Sequence, residues 1–495
     1  MPFPTSPVYE NLFHRRAAVT LDVVIVGGSI AGLSAAYNLK QAGHNVRVLE
    51  KSNGKLTTCT AMRIPPNMAK LLLHWGVGEQ LKARGITQCP KINFVDGMTG
   101  ELQSTLIYHK ELMKELQADM YNMRYGDLYE LIRDIALRSG VKIDYNTTVI
   151  DVDKDCTFVL LEDGSRINAD LIVGADGTYS LLREKIVGKK EVHPLGPFKM
   201  YNYLVPVDTL QKDPLLQPLT EDGSWTLWMG DLQCTLGYLA APDHYLVQHI
   251  DTKNTGTHGW KQTVPLSELD FSAFEERVQR LLSLSTHAAE NQHIVQTPIE
   301  SWYSNNGRLV LVGNSVHLSS AGSMNEVALS VEDGAVLGSL FSRLQSRDQE
   351  EILRLLAAYQ KIRQDRCNAI LQTDNELLTF STLPPGSARD ERNAGFARAS
   401  EQNMLDWENV DEDVLRSAWE EFRNSFGYEA YDAADDWWVD WGIVVHRLSA
   451  AQNASTIDDD GDASNGECSS PLQAGLRTSI LDGLHKQTVI TTVEN

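Results

Sequence analysis

Three short runs in this chain carry residue types that suit a phosphate and ribose site. The first is Gly27-Gly28-Ser29-Ile30-Ala31-Gly32, directly after the apolar run from Asp22 to Val26. Glycines at a strand-to-helix turn let the backbone lie against a pyrophosphate, and the helix start then offers free N–H groups and a favourable partial charge. Ser29 stands where such turns usually have a middle glycine; it is small and can itself donate to phosphate. Glu50 ends the next apolar run, at roughly the 20-residue spacing of a carboxylate that holds ribose hydroxyls. By itself this run indicates a dinucleotide without saying which.

The second run is Gly174-Ala175-Asp176-Gly177, with Ser180 and Arg183 beyond it, after the strand-like Leu171-Ile172-Val173. An Asp-Gly turn satisfies its own backbone without any ligand, so its meaning comes from its company. That company is the third run. Leu309-Val310-Leu311-Val312 leads into Gly313-Asn314-Ser315-Val316-His317, and Glu332-Asp333-Gly334-Ala335 follows in a helical stretch.

The elements around these runs read as an α/β fold. A strand from Asp22, a helix over 30–41 and a strand over 46–50 form one β-α-β unit, the opening of a doubly wound, Rossmann-like sheet. A helix is expected after Pro65-Pro66, and another through Leu128, Leu131, Ile132 and Ile135, whose spacing makes one apolar face. From about 198 the pattern turns to broken strands. Tyr201, Tyr203, Trp225, Trp228 and Tyr238 fall in them, and alternation should send some to a substrate cavity and the rest to the other side of the sheet. After Ser330 one helical stretch is expected to about 378.

The domains expected are a flexible arm at 1–20, a discontiguous dinucleotide domain at 21–195 and 305–385, and a β-rich substrate domain at 196–304. A helical extension at 386–449 and a disordered acidic tail at 450–495 complete the chain. A net charge of −22 excludes the basic patches that nucleic acids and anionic membranes require. Six scattered cysteines show neither a disulfide framework nor metal-ligand spacing, so reduced thiols and no metal are expected. With no signal pattern and no apolar run long enough to span a bilayer, a cytoplasmic protein is the expectation.

Taken together and in order, these runs resemble the single-component (group A), FAD-dependent aromatic hydroxylases, and most closely their fungal salicylate-hydroxylase-like branch. Ile64-Pro65-Pro66-Asn67, Arg124 with Leu128, Arg308 to Gly313, and Val331 to Leu337 match that family in sequence order over about 20–385. The resemblance implies FAD as cofactor, with NADH or NADPH as the co-substrate that reduces it. It also implies transfer of one oxygen of O₂ to an electron-rich ring. Cofactor contacts implied by position are Gly27, Gly28, Ser29, Gly32, Glu50 at the ribose, Ala61, Arg124, Asp176, Gly313, Asn314 at the ribityl chain, and Val327. The helix starting near Val327 would turn its N-terminus toward flavin N1 and O2. His317 is expected to be structural, and no catalytic side chain is assigned.

Two departures stand out. Asn314 replaces the family's usual Asp. In the loop before the helix, Ala321 and Asn325-Glu326 replace a Pro and a Gln-Gly pair, which puts a carboxylate beside N1 unless Glu326 turns to solvent. The expected activity is hydroxylation of a phenolic or hydroxybenzoate-type ring, in secondary metabolism or aromatic breakdown, with loss of a ring carboxylate as CO₂ one outcome. The alternatives are epoxidation or hydroxylation of a prenyl or terpenoid chain, or a flavin-weakened, inactive paralogue. Expected partners are O₂ and one small aromatic or prenylated substrate, and the chain is expected to be a monomer or a homodimer.

Overall fold

The computed structural model describes residues 15–56, 60–252, 262–319, 322–401 and 412–442. By internal contacts the chain divides into residues 1–438 and residues 439–495. The expected acidic tail, Ala321 and most of the expected N-terminal arm lie outside the described residues. Within that arm, Ala17 and Ala18 donate to the carbonyls of Ala42 and Leu344.

A five-stranded, all-parallel sheet holds the glycine run. Its order is Leu309–Leu311, Leu171–Gly174, Asp22–Val26, Asn45–Leu49, Lys142–Asp144. The strands Asp22–Val26, Leu171–Gly174 and Leu309–Leu311 are buried almost throughout and read as near-continuous apolar runs, as a sheet sandwiched by helices requires, whereas Asn45–Leu49 alternates and Lys142–Asp144 is a partly exposed edge. The helix Ile30–Gln41 packs on one side of it against Glu326–Phe341, and both are buried along most of their length. The doubly wound α/β class expected from the sequence is what forms.

The second large element is an eight-stranded sheet in the order Gln262–Pro265, His287–Ile294, Leu195–Pro206, His244–Asp251, Gln233–Ala241, Trp225–Met229, Lys91–Asp96, Leu102–Ile107. Its last two strands come from the span assigned to the dinucleotide domain. Trp225–Met229 pairs with Lys91–Asp96 in parallel, with Trp225 opposite Ile92. No local pattern encodes a partner so distant in sequence.

Alternation sorts the aromatics as expected. Trp225 and Tyr238 join the core on one face of this sheet; Tyr201, Tyr203, Trp228 and Tyr245 join the core on the other. A third, smaller sheet pairs Ala61–Ile64 with Tyr121–Arg124, Ala61 lying opposite Arg124.

The helical stretch after residue 330 is two helices, Glu326–Phe341 and Gln349–Ser381, not one. The break is built from side chains. Asp348 caps the second helix, accepting from Glu350 N–H, and Glu351 accepts from the N–H groups of Gln345 and Ser346. Further helices cover Ser387–Glu401, Glu412–Phe426 and Ala430–Trp437. Phe396 packs on Phe94 with ring centroids 5.3 Å apart, and Phe422 lies edge-on to Tyr108 at 5.9 Å, so the first two of these helices close over the large sheet, while Ala430–Trp437 packs against Glu326–Phe341.

Candidate functional site

The glycine run is held by what its glycines lack. Gly27 has φ +106°, and a Cβ there would lie 2.2 Å from the Ala175 carbonyl oxygen; one on Gly32 would lie 2.0 Å from the Gly27 oxygen. Gly313, at φ +60°, would strike the Ala31 methyl at 2.6 Å. The three runs therefore close on one another at the carboxyl ends of adjacent parallel strands, where open α/β sheets bind ligands. Ser29 caps Ile30–Gln41, its hydroxyl accepting from Gly32 N–H at 3.4 Å. The Glu50 carboxylate reaches back into the loop, accepting from Gly28 N–H and from Ser52 N–H, each at 2.7 Å.

Asp176 is a knot between the second and third runs. It accepts from the hydroxyls of Ser180 at 2.5 Å and Ser315 at 3.2 Å, and from Leu182 N–H at 3.2 Å. Burial pushes its carboxyl up from the ordinary value. The wholly buried Arg183 donates to the carbonyls of Ser315 and Val316. Asn314 is half-buried, and its carbonyl accepts from Gln296 at 3.0 Å.

Behind Gly313 lies a buried ionic cluster. Asp333 accepts from Gly313 N–H at 2.8 Å, from His317 Nε2 at 2.6 Å and from Arg363 Nε at 2.8 Å. Arg363 also meets Glu332 at 2.8 Å, and Glu332 accepts from Asn67 at 2.7 Å. Burial would lower the His317 pKa, but the Asp333 carboxylate outweighs it and carries it to about 10. The Cys367 thiol stands close to this pair, yet both Asp333 oxygens are already engaged, which marks the cluster as a brace for the Gly313 turn. That agrees with a structural His317.

Ala61, Arg124 and Val327 occupy a neighbouring region. Arg124 donates to Asp127 at 2.5 Å and lies 3.6 Å from Asp243. Tyr125, next to it, is held neutral by burial and by the nearby Glu326 carboxylate. The helix expected near Val327 begins at Glu326. Its N-cap, Asn325, makes no side-chain capping bond, which leaves the first-turn N–H groups for a ligand. Glu326 has not turned to solvent. It is half-buried, and burial raises its carboxyl to about 7, with Gly322 N–H and Arg63 acting the other way.

Beside this helix start is a cavity of about 150 Å³. Its floor is one face of the large sheet, with Ile92, Phe94, Trp225, Leu227, Leu236 and Ile250 among its side chains. The segment 322–324 makes one wall, and Asp374, Leu377, Leu378 and Ser381 of the long helix make the roof. Gly322, at φ +76°, presses so closely on the sheet that a Cβ would lie 2.7 Å from Met200 Sδ. Arg63 spans the two walls. It donates to the Gly322 and Ser323 carbonyls and to Gln248 Oε1 at 2.8 Å, and stacks over Trp225 at 5.4 Å and Tyr238 at 5.6 Å.

Arg63 and Asp374 were not singled out from the sequence. The available signal was a charge inside an apolar pattern: Asp374 interrupts a helical stripe running through Cys367, Ile370, Leu377 and Leu378.

The residues present suit FAD. Three close-packed glycines, an open helix start and a carboxylate at the ribose position are the donor and acceptor set of a dinucleotide cradle. Comparison with known proteins agrees. Residues 20–374 match the family described as FAD binding domain. The chain belongs to this family of FAD-dependent monooxygenases, the group A flavoprotein hydroxylases. It is 28% identical over 369 residues to the FAD-dependent monooxygenase cfoG of Aspergillus candidus, covering 71% of this chain and 83% of that one. It is 26% identical over 380 residues to the hispidin-3-hydroxylase of Neonothopanus nambi, covering 71% and 87%. In fold it is similar to Klebsiella pneumoniae HpxO complexed with FAD and uric acid, with a TM-score of 0.66, 20% identity and coverage of 85% of this chain and 99% of that one. Among the described residues no helix is long and apolar enough to cross a membrane.

Proposed function

We propose that this monooxygenase uses NADH or NADPH and O₂ to hydroxylate a phenolic or hydroxybenzoate-type ring, with decarboxylation where a carboxylate sits on the attacked carbon. The observation that carries the reading is the size and lining of the cavity beside the Glu326–Phe341 helix start. A cavity of about 150 Å³ with an apolar, aromatic-lined floor has room for a single ring; a dry apolar cavity of roughly that volume binds benzene. A prenyl or terpenoid chain of ten or more carbons demands more space, so the aromatic reading is favoured over the terpenoid one. The names of relatives point the same way, one of them being 3-hydroxybenzoate 6-hydroxylase 1 of Aquipseudomonas alcaligenes.

FAD, when bound, supplies the activated oxygen. The protein's own residues do the rest. Gly27, Gly28, Ser29 and Gly32 would seat the pyrophosphate, Glu50 the ribose, and Asn314 the ribityl chain. Ala61, Arg124 and Asp176 would flank the cofactor, and the N–H groups at Val327 would face the flavin's pyrimidine edge. The sheet floor and the 322–324 wall hold the ring and keep water from it. Substrate-stimulated oxidation of NADH and NADPH by the FAD-loaded protein, measured across phenols, hydroxybenzoates and prenylated compounds, tests the reading. Stimulation with a hydroxylated product from a one-ring phenol supports it, and stimulation by non-aromatic compounds alone contradicts it.

A further inference from the structure

The cavity contains one acidic side chain that neither packing nor an ion pair accounts for. Asp374 is 7% exposed and lines the roof, and its Oδ2 has no hydrogen-bond partner. A buried carboxylate oxygen without a partner loses water and receives nothing in return, an arrangement native folds keep only for a reason. Its neighbours are the Ser323 hydroxyl and the N–H groups of Met324 and Asn325 from the wall, with Arg63 across the cavity and Glu326 beyond the wall. Among the described residues no cation pairs with it within 4.0 Å, and Arg63 donates instead to Gly322, Ser323 and Gln248.

We propose that Asp374 is a catalytic, substrate-binding residue whose free oxygen accepts the hydroxyl hydrogen of a neutral phenol in this cavity. The proposal rests on the reading of the cavity as the site of aromatic hydroxylation. Around it most lining groups are apolar or already bonded, and the polar exceptions, the Ser323 and Tyr108 hydroxyls, are neutral, so Asp374 Oδ2 is the charged acceptor open to a phenol's single donor. As oxygen is delivered, the phenol O–H bond breaks and a carboxyl O–H bond forms. The electron pair left on the phenol oxygen spreads to the ortho and para carbons, where an electrophilic oxygen attacks. When the ring re-aromatises, the attacked carbon loses its proton to solvent and Asp374 returns the other proton to the same ring oxygen. Burial raises the Asp374 carboxyl above the ordinary range, which makes it the better proton acceptor.

Phenol and anisole are the probes, since anisole carries a methyl group in place of that hydrogen and can donate nothing. Their binding to the FAD-loaded wild-type protein is read from perturbation of the flavin absorbance. Phenol should bind roughly tenfold or more tightly than anisole, the range of a hydrogen bond to a charged acceptor. In Asp374→Asn one oxygen still faces the wall N–H groups, but a donor replaces the free acceptor. The phenol advantage should then fall to within about threefold while anisole affinity holds. A role confined to bracing the 322–324 wall would weaken both probes alike. Equal binding of phenol and anisole to wild type overturns the proposal, as does an undiminished advantage in the variant; the wild-type pair decides even if the variant does not fold. Failure of every aromatic compound to be hydroxylated would instead sink the functional reading, and the binding pair separates the two.

Discussion

Glu50 and Glu326 show how a single carboxylate is set to a task by its surroundings. Glu50 accepts two loop N–H groups and is the carboxylate proposed to hold the ribose hydroxyls. Glu50→Ala should raise the FAD dissociation constant roughly tenfold or more, the scale of a lost hydrogen bond to a charged group. Fluorescence titration of the apoprotein measures this, and an unchanged constant would place the ribose elsewhere.

Glu326 lies at a helix start where the flavin's pyrimidine edge is proposed to sit, with its carboxyl raised to about 7. Above that pH its charge opposes an anionic reduced flavin by on the order of 1 kcal/mol or more at an effective dielectric near ~20. Below it the group is neutral and the opposition disappears. Glu326→Gln should therefore raise the flavin potential above about pH 7 and leave it unchanged below. A redox titration showing one potential for both proteins at all pH values would mean that Glu326 does not face the flavin.

His317 gives the pH dependence of the fold. Its pKa is raised from 6.5 to about 10, so the stability it contributes is complete below 6.5 and lost as pH rises through 10. The urea midpoint of wild type should exceed that of His317→Gln most below about pH 6.5, and the gap should shrink steadily through neutral pH and close toward about pH 10. A constant gap would mean that the Asp333 pair is not charged.

At the scale of elements, the glycine run is where helix propensity and packing disagree. Replacing a helical glycine by alanine ordinarily gains about 1 kcal/mol. At Gly32 the added Cβ meets the Gly27 carbonyl oxygen at 2.0 Å, a backbone contact that no rotamer change relieves. Overpacking of this kind costs roughly 1–3 kcal/mol, so the sign reverses. Gly32→Ala should lower the melting temperature and release flavin; a more stable, yellow variant would contradict the close packing of the three runs.

Much of this element-level structure was legible because it is local. Ser29 and the glycines mark where Ile30–Gln41 begins, and alternation shows that the aromatics of the broken strands divide between two faces, though not that Trp225 and Tyr238 take one and Tyr201, Tyr203 and Trp228 the other. What was not legible is long-range. The pairing of Trp225 with Ile92 brings residues 91–107 into the large sheet. The side-chain caps at Asp348 and Glu351 divide what reads as one helix. Arg63 and Asp374 gain their meaning only when a strand and the far end of the long helix meet across one cavity.

For the whole molecule, cofactor and fold are linked. The FAD cradle is assembled from segments some 285 residues apart in sequence, between Gly28 and Gly313, and closes only in the folded chain. Binding to the native state alone stabilises it by about 2.7 kcal/mol at a hundredfold excess over the dissociation constant. The central claim is that this folded, FAD-loaded chain hydroxylates a single aromatic ring. The direct measurement supplies it with O₂, NADH or NADPH and a panel of one-ring phenols, hydroxybenzoates, prenylated phenols and terpenoids, and identifies products by mass. The expected product is a catechol or hydroquinone, one oxygen heavier than its phenol or formed with release of CO₂. Oxygenation of terpenoids with every aromatic compound returned unchanged would contradict it.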